Sequence, residues 1–185
     1  SVEQFWGERF IFQNSRVLLL GKPKIGKSNW LGAFAAGATT GTDFMGVPFN
    51  RPLKVMWFQA EIIAEFLKRR IEMYFQRFMV NDELMQLGYN NLIISGRLRK
   101  NLMKDQDIQQ FSDEIAYHKP DIVMIDPVIN FFDGEENNNT DIRKLMDRID
   151  MLIEMNNVSI ILAHHTGKER ADDKSFMSAR GGSVF

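Results

Sequence analysis

The chain has 185 residues, of which 44% are hydrophobic and 25% charged, a composition typical of a globular protein and unlike that of a disordered one. Its 23 basic and 24 acidic side chains leave a formal charge of −1, so binding to nucleic acid or to an anionic membrane would require a local basic patch. The absence of cysteine excludes disulfides, thiolate zinc sites and cysteine nucleophiles.

Short apolar runs alternate along the chain with longer stretches of helical periodicity. Because the short runs are apolar nearly throughout, they are typical of strands buried on both faces of a mostly parallel sheet. Their alternation with helices predicts an α/β fold with helices on both faces. Neither a repeat nor a linker divides the chain, so we predict one domain over residues 1–185. The predicted strands are 16–20, 54–59, 91–94, 121–126 and 159–163.

The predicted helices follow the strands. The first begins after the first strand, over 29–36, and two others cover 63–78 and 108–115. The last covers 142–153, and Asn139 and Thr140 are capping-type residues at its start. For helix 63–78 we predict an apolar face made of Ile63, Phe66, Leu67, Ile71, Tyr74, Phe75 and Phe78.

A phosphate-binding motif lies between the first predicted strand and the first predicted helix. Its glycines would bring main-chain N–H groups to phosphate oxygens, and the helix N-terminus adds a partial positive charge. Lys27 would reach the β- and γ-phosphates of ATP, and the Ser28 hydroxyl would bind Mg²⁺. A glycine-rich turn that serves only packing is the alternative. The candidate nucleotide-binding residues are Gly21, Lys22, Pro23, Lys24, Ile25, Gly26, Lys27, Ser28 and Asn29.

Two carboxylates end other predicted strands. Asp126 ends an apolar strand, where burial is costly unless a cation or several donors satisfy it. The Mg²⁺ held by Ser28 would supply that cation through a bridging water; otherwise Asp126 caps a turn. Pro127 occupies the position where many P-loop ATPases carry the catalytic base, so the base must come from elsewhere. We predict Glu61, which could deprotonate water in line with the γ-phosphate or, alternatively, only favour the dipole of the next helix.

Two adjacent histidines, His164 and His165, follow the last predicted strand. Neighbouring residues of an extended chain point to opposite faces, so at most one can address the nucleotide directly. We predict that one senses the γ-phosphate and favour His164, because it continues the strand. A solvated pair or a metal site are the alternatives, although two histidines without further ligands make a poor metal site.

The stretch after the histidines has little periodicity, and we predict a loop there. Its basic side chains are candidates for contacts with a nucleic-acid backbone. Acidic neighbours dilute the charge, and from composition alone a solvated surface loop is the simpler interpretation. The candidates are Lys168, Arg170, Lys174 and Arg180.

In this order the motifs resemble the RepA-type branch of the RecA-like ATPases, which includes hexameric replicative helicases of plasmids and phages. The resemblance covers nearly the whole chain, and its most specific part is the pair of motifs over 164–168 and 179–183. The motifs are Gly21 to Ser28, Gln-Ala-Glu at 59–61, Ile-Asp-Pro at 125–127, Glu-Asn-Asn-Asn at 136–139, His-His-Thr-Gly-Lys at 164–168 and Ala-Arg-Gly-Gly-Ser at 179–183.

The resemblance implies a RecA-like P-loop core in which the strand carrying His164 lies between those of the phosphate loop and Asp126. It also implies a homo-oligomeric ring, often a hexamer, with ATP at subunit interfaces and single-stranded DNA in a central channel lined by the loop up to Arg180. Carried over by position, Lys27 and Ser28 bind phosphate and Mg²⁺, Asp126 coordinates Mg²⁺, Glu61 is the base and the histidine pair is the sensor.

The chain departs from the family in two places. Ile62 stands where family members often carry a second acidic residue, which weakens the argument for water positioning. The family's arginine finger usually lies beyond the Arg-Gly-Ser segment, so we assign none and expect a fragment truncated at the C-terminus. The last strands of the core would then be missing, leaving part of the sheet edge uncovered.

Three functions compete at this stage. The first is a Mg²⁺-dependent ATPase motor acting on DNA, most simply a helicase in replication or recombination. The second is a nucleotide-gated regulatory or assembly ATPase of the RecA/KaiC type. A small-molecule P-loop kinase is third, because it needs a lid with clustered arginines and the only such stretch, residues 68–70, belongs to a predicted amphipathic helix. For each we expect a cytoplasmic protein without membrane contact, since no apolar run is long enough to span a bilayer and nothing at the N-terminus looks like a signal peptide.

Overall fold

In the computed structural model of the chain, the described residues are 2–8, 10–78, 81–95, 100–134 and 138–165. The strands in these ranges are β1 (Gln4–Trp6), β2 (Ile11–Phe12), β3 (Arg16–Gly21), β4 (Val55–Gln59), β5 (Leu92–Ser95), β6 (Ile122–Asp126) and β7 (Ser159–His165). The α-helices are α1 (Lys27–Thr40), α2 (Ala64–Phe78), α3 (Asp82–Asn91), α4 (Asp105–His118) and α5 (Asn139–Asn156), and Val128–Phe131 forms a short 3-10 helix.

The centre of the fold is a five-stranded sheet in the order β3-β7-β6-β4-β5, with every neighbouring pair parallel. This confirms the α/β fold and all five predicted strands, whose ends shift by at most two residues. β7 lies between β3 and β6, as the resemblance implied. β1 and β2 pair separately as a small antiparallel ribbon that the sequence did not predict.

Apolar side chains pack on both faces of the sheet in two clusters. Trp57 and Met124 point to the face covered by α1 and α2, whereas the next residues, Phe58 and Ile125, point to the face covered by α4 and α5. Every residue of β4 and β6 is buried. Burial on both faces therefore explains why these strands are continuously apolar.

The expected burial on both faces is wrong for β3 and β5. The residues of β3 alternate between half-buried and exposed, with Leu18 and Leu20 36% and 40% exposed, and in β5 Ile94 is 38% exposed. The physical reason is position, because in the described ranges these are the two edge strands of the sheet, and each pairs with one neighbour alone. The expected missing strands and everything else predicted for 166–185 lie outside the described residues.

Two predictions about helices also need correction, one about a buried face and one about a cap. In α2, Leu67, Ile71 and Phe75 are buried, but Phe66 is 57% exposed and Ile63, just before the helix, is 43% exposed. They were assigned to the buried face from spacing alone, and the face that packs is narrower. At the start of α5 the capping residue is not Asn139 or Thr140, which are already helical, but the preceding residue, Asn138.

The sequence did not predict α3, whose buried residue, Gly88, packs against Phe75 of α2. Among the described residues, none of the helices is both long and apolar enough to cross a membrane.

Candidate nucleotide-binding site

The phosphate-binding motif forms the turn between β3 and α1, at the carboxyl end of β3. Gly26 precedes the first residue of α1 with φ 99°, a left-handed conformation that favours glycine. A Cβ atom at this position would meet no atom within 4 Å, so the backbone angle, and not crowding, requires glycine. The turn therefore places the N-terminus of α1 at the cleft beyond the carboxyl end of β3.

The side chain of Lys27 is folded into this turn. Its Nζ donates hydrogen bonds to the backbone carbonyls of Gly21 at 2.7 Å and Lys22 at 2.9 Å, and the residue is only 6% exposed. Burial lowers the pKa of this ammonium, while the nearby charges of Asp126 and Glu61 raise it. The cation thus lies within electrostatic reach of both carboxylates that the sequence singled out.

Asp126 ends β6 and is 2% exposed. Burial raises the pKa of its carboxyl group, a hydrogen bond from the Ser28 hydroxyl lowers it, the charge of Glu61 raises it, and His165 and Lys27 lower it. One oxygen, Oδ2, is buried without a hydrogen-bond partner.

The unpaired Oδ2 of Asp126 and the nearby Ser28 hydroxyl are the atoms that decide whether Mg²⁺ fits this site. A buried carboxylate oxygen calls for a cation, and carboxylate and hydroxyl oxygens are ligands that Mg²⁺ accepts. In the described ranges, His, Asp and Glu side chains form no group of three or more that could hold a metal ion. Mg²⁺ usually takes only one or two protein ligands and completes its shell with water and substrate phosphates, so Ser28 and Asp126 fit this ion.

Glu61 lies in the turn after β4, and two hydrogen bonds hold this turn. The Ala60 N–H donates to the backbone carbonyl of Asp126 at 3.1 Å, and the Ile62 N–H donates to the buried side-chain Oε1 of Gln59 at 2.6 Å. Glu61 itself is exposed and lines the same cleft as Lys27 and Ser28. Its carboxylate is therefore accessible to water next to the phosphate loop. Sequence reasoning missed the part played by Gln59.

The two histidines point to opposite sides, as expected for an extended strand. His165 lines the cleft, and its Nδ1 is buried without a hydrogen-bond partner. His164 instead lines a small apolar pocket with Val128, Phe132 and Leu145. The preference for His164 as the residue facing the phosphates is therefore corrected, because the strand continues through both positions and its pleat turns His165 to the site.

The cleft has a volume of about 410 Å³, within the range of small-ligand sites. One of its residues, Arg70 of α2, was assigned by the sequence only to an amphipathic helix. Lys168, Arg170, Lys174 and Arg180 lie outside the described residues. The cleft is lined by Pro23, Lys24, Gly26, Lys27, Ser28, Asn29, Glu61, Arg70 and His165.

A parallel sheet with a phosphate loop after one strand and acidic side chains at the ends of two others defines a P-loop nucleotide-binding domain. A family model described as an AAA domain matches residues 3–171, and the chain belongs to this family of P-loop ATPase domains. No curated protein gives a significant sequence match.

Proposed function

We propose that this domain hydrolyses ATP with Mg²⁺ and couples hydrolysis to single-stranded DNA, as the motor domain of a RepA-like replicative or recombination helicase. The observation that carries the ATPase part is the convergence of Lys27, Glu61 and Asp126, from three separate segments, on the turn before α1. The convergence fits the needs of phosphoryl transfer, which are positioning and charge stabilisation.

In this proposal each side chain has a separate task. Lys27 binds the β- and γ-phosphates, and Ser28 and Asp126 hold Mg²⁺, which when bound neutralises charge on the phosphate oxygens. Glu61 accepts a proton from the attacking water. His165, through its unpaired Nδ1, senses the terminal phosphate.

The ATPase part is tested with Lys27→Ala and Glu61→Gln. We expect Lys27→Ala to lose nucleotide binding and hydrolysis together, since it removes the cation that holds the phosphates. Glu61→Gln should keep ATP binding and lower kcat by about 100-fold or more, because only the base is lost. Phosphate release measures the rate, and equilibrium titration measures binding. Unchanged hydrolysis in Glu61→Gln would show that the base is another residue.

The DNA part is supported by the resemblance and by the basic residues after His165. Single-stranded DNA should raise the ATPase rate, and added salt should weaken this stimulation steeply, because neutralised DNA phosphates release counterions. Turnover that ignores DNA would contradict the helicase part and leave the ATPase part standing. The homo-oligomeric ring of six subunits remains part of this proposal, and light scattering with and without ATP tests it.

A further inference from the structure

Two contacts made by Tyr74 hold helix α2 against α1 beside the phosphate loop. A Cβ atom on Gly32 would lie 2.1 Å from Cε2 of Tyr74, so only glycine lets the aromatic ring approach this closely. The Tyr74 hydroxyl also donates a hydrogen bond of 2.8 Å to Oδ1 of Asn29, the residue after Ser28. The face of α2 that carries Tyr74 is therefore held against the first turns of α1.

Arg70 lies one turn before Tyr74 on this face of α2. It lines the nucleotide cleft together with Lys27, Ser28 and Glu61. Burial raises the pKa of the Tyr74 hydroxyl, and the charge of Arg70 opposes this by lowering it. The guanidinium group is thus close to the hydroxyl that contacts α1, on the side where the phosphate loop lies.

The guanidinium of Arg70 makes no hydrogen bond or ion pair with any other residue in the described ranges. By contrast, Arg16, Arg51 and Arg148 each pair with a carboxylate. Five N–H donors of Arg70 are consequently available in a cleft whose other side chains fit a phosphate ligand. Arg70 and the neighbouring Arg69 are both exposed, but Arg69 does not line the cleft.

We propose that Arg70 binds the terminal phosphate of ATP from within the same subunit. This inference rests on the proposed ATPase function. In the proposed function Glu61 is the general base, and a general base has to face the terminal phosphate. Because Arg70 lines the same cleft as Glu61, the terminal phosphate is the group that Arg70 would reach. The planar guanidinium fork matches two phosphate oxygens at once and offsets the charge they carry.

The test compares Arg70→Ala, Arg70→Lys and the matched control Arg69→Ala, which removes the same charge from the next position of the same helix. Affinities for ADP and for a non-hydrolysable ATP analogue are measured with Mg²⁺ by equilibrium titration, and thermal unfolding confirms that each variant folds. We expect Arg70→Ala to weaken binding of the analogue by about 10- to 100-fold and binding of ADP by less than about 3-fold, because ADP lacks the contacted group. Arg70→Lys should lie between, since lysine keeps the charge and loses the fork.

Arg69→Ala is expected to bind both nucleotides as the unchanged protein does. An Arg70→Ala variant that matches Arg69→Ala, or that loses ADP and the analogue equally, overturns the inference while nucleotide binding by the unchanged protein stands. If the unchanged protein binds neither nucleotide, the proposed function fails, and the inference fails with it.

Discussion

Two charged side chains of opposite sign are buried beside the phosphate loop, Asp126 with 2% and Lys27 with 6% of its surface exposed. Burial favours the neutral form of both groups, so it raises the pKa of Asp126 and lowers the pKa of Lys27. Each charge partly compensates the other, but the unpaired Oδ2 of Asp126 remains. Such an arrangement lowers the stability of the folded chain and favours the binding of a cation and of phosphates.

The first prediction concerns the stability cost of Asp126. Because burial raises the pKa of this carboxyl above its unfolded value of 3.8, the folded chain binds the proton more readily than the unfolded chain. As the pH rises from the unfolded pKa of Asp126 to its folded pKa, ionisation of this carboxyl lowers the free energy of unfolding. At higher pH the ionised carboxylate stays destabilising. Asp126→Asn should raise the free energy of unfolding by about 1 kcal/mol near neutral pH.

Urea unfolding at several pH values in the presence of EDTA measures this difference. The gain of Asp126→Asn should shrink as the pH is lowered through the interval towards 3.8, where the unchanged carboxyl becomes protonated. Adding Mg²⁺ and ATP should stabilise the unchanged protein more than the variant, which keeps Lys27 and loses one of the two Mg²⁺ ligands. An Asp126→Asn variant that is less stable near neutral pH would mean that the ionised carboxylate is satisfied by its neighbours.

Most of the site could be predicted from the sequence because its residues end strands of one parallel sheet. Lys27 and Glu61 follow β3 and β4, and Asp126 ends β6, and the carboxyl ends of these strands meet at the same edge of the sheet. The sequence could not show which of His164 and His165 faces the cleft, because the direction of each side chain depends on how β7 is paired in the sheet. Arg70 could not be found either, since its place depends on the contact between Tyr74 and Gly32, two residues far apart in the sequence.

At the scale of elements, the five strands of the central sheet were predictable, whereas the N-terminal ribbon and the helix ends were not. A strand buried on both faces needs apolar side chains at nearly every position, which leaves a clear pattern in β4, β6 and β7. A helix start depends on which side chain reaches which N–H group. In α5 the sequence indicated Asn139 and Thr140 as caps, whereas the structure assigns the cap to Asn138, whose side chain accepts a hydrogen bond from the Thr140 N–H at 2.9 Å.

The second prediction follows from this cap. Asn138→Ala should lower the free energy of unfolding by about 1 kcal/mol, since it leaves an N–H group at the start of α5 without its acceptor. Asn139→Ala is the matched control: it removes the same amide from an exposed position already inside the helix and should change stability by less than about 0.5 kcal/mol. Chemical denaturation measures both, and an equal loss in the two variants would assign the capping role to both asparagines.

At the scale of the whole molecule, the N-terminal ribbon is tied to the sheet by Arg51. Its Nε donates to Glu3, the residue before β1, at 2.7 Å, and its two terminal nitrogens donate to the two carboxylate oxygens of Asp121, at 2.7 and 3.0 Å. Asp121 also accepts a hydrogen bond from the Lys54 N–H at 2.7 Å. These contacts join the N-terminus to the segments that begin β4 and β6, at the end of the sheet opposite the nucleotide cleft.

The third prediction is that this link contributes measurably to stability. Hydrogen bonds to Asp121, and then to Glu3, raise the pKa of Arg51, so the folded state favours the charged guanidinium. With 40% of its side chain exposed, solvent screening limits the gain, and Arg51→Ala should cost about 1–2 kcal/mol. Arg51→Lys should recover less than half, because an ammonium group cannot bridge both oxygens of Asp121 and reach Glu3. Arg16→Ala is the control: it breaks a simpler surface pair with Asp150 and should cost less than about 0.5 kcal/mol. A similar loss of stability in Arg16→Ala and Arg51→Ala would show that the three-residue link adds nothing beyond an ordinary surface ion pair.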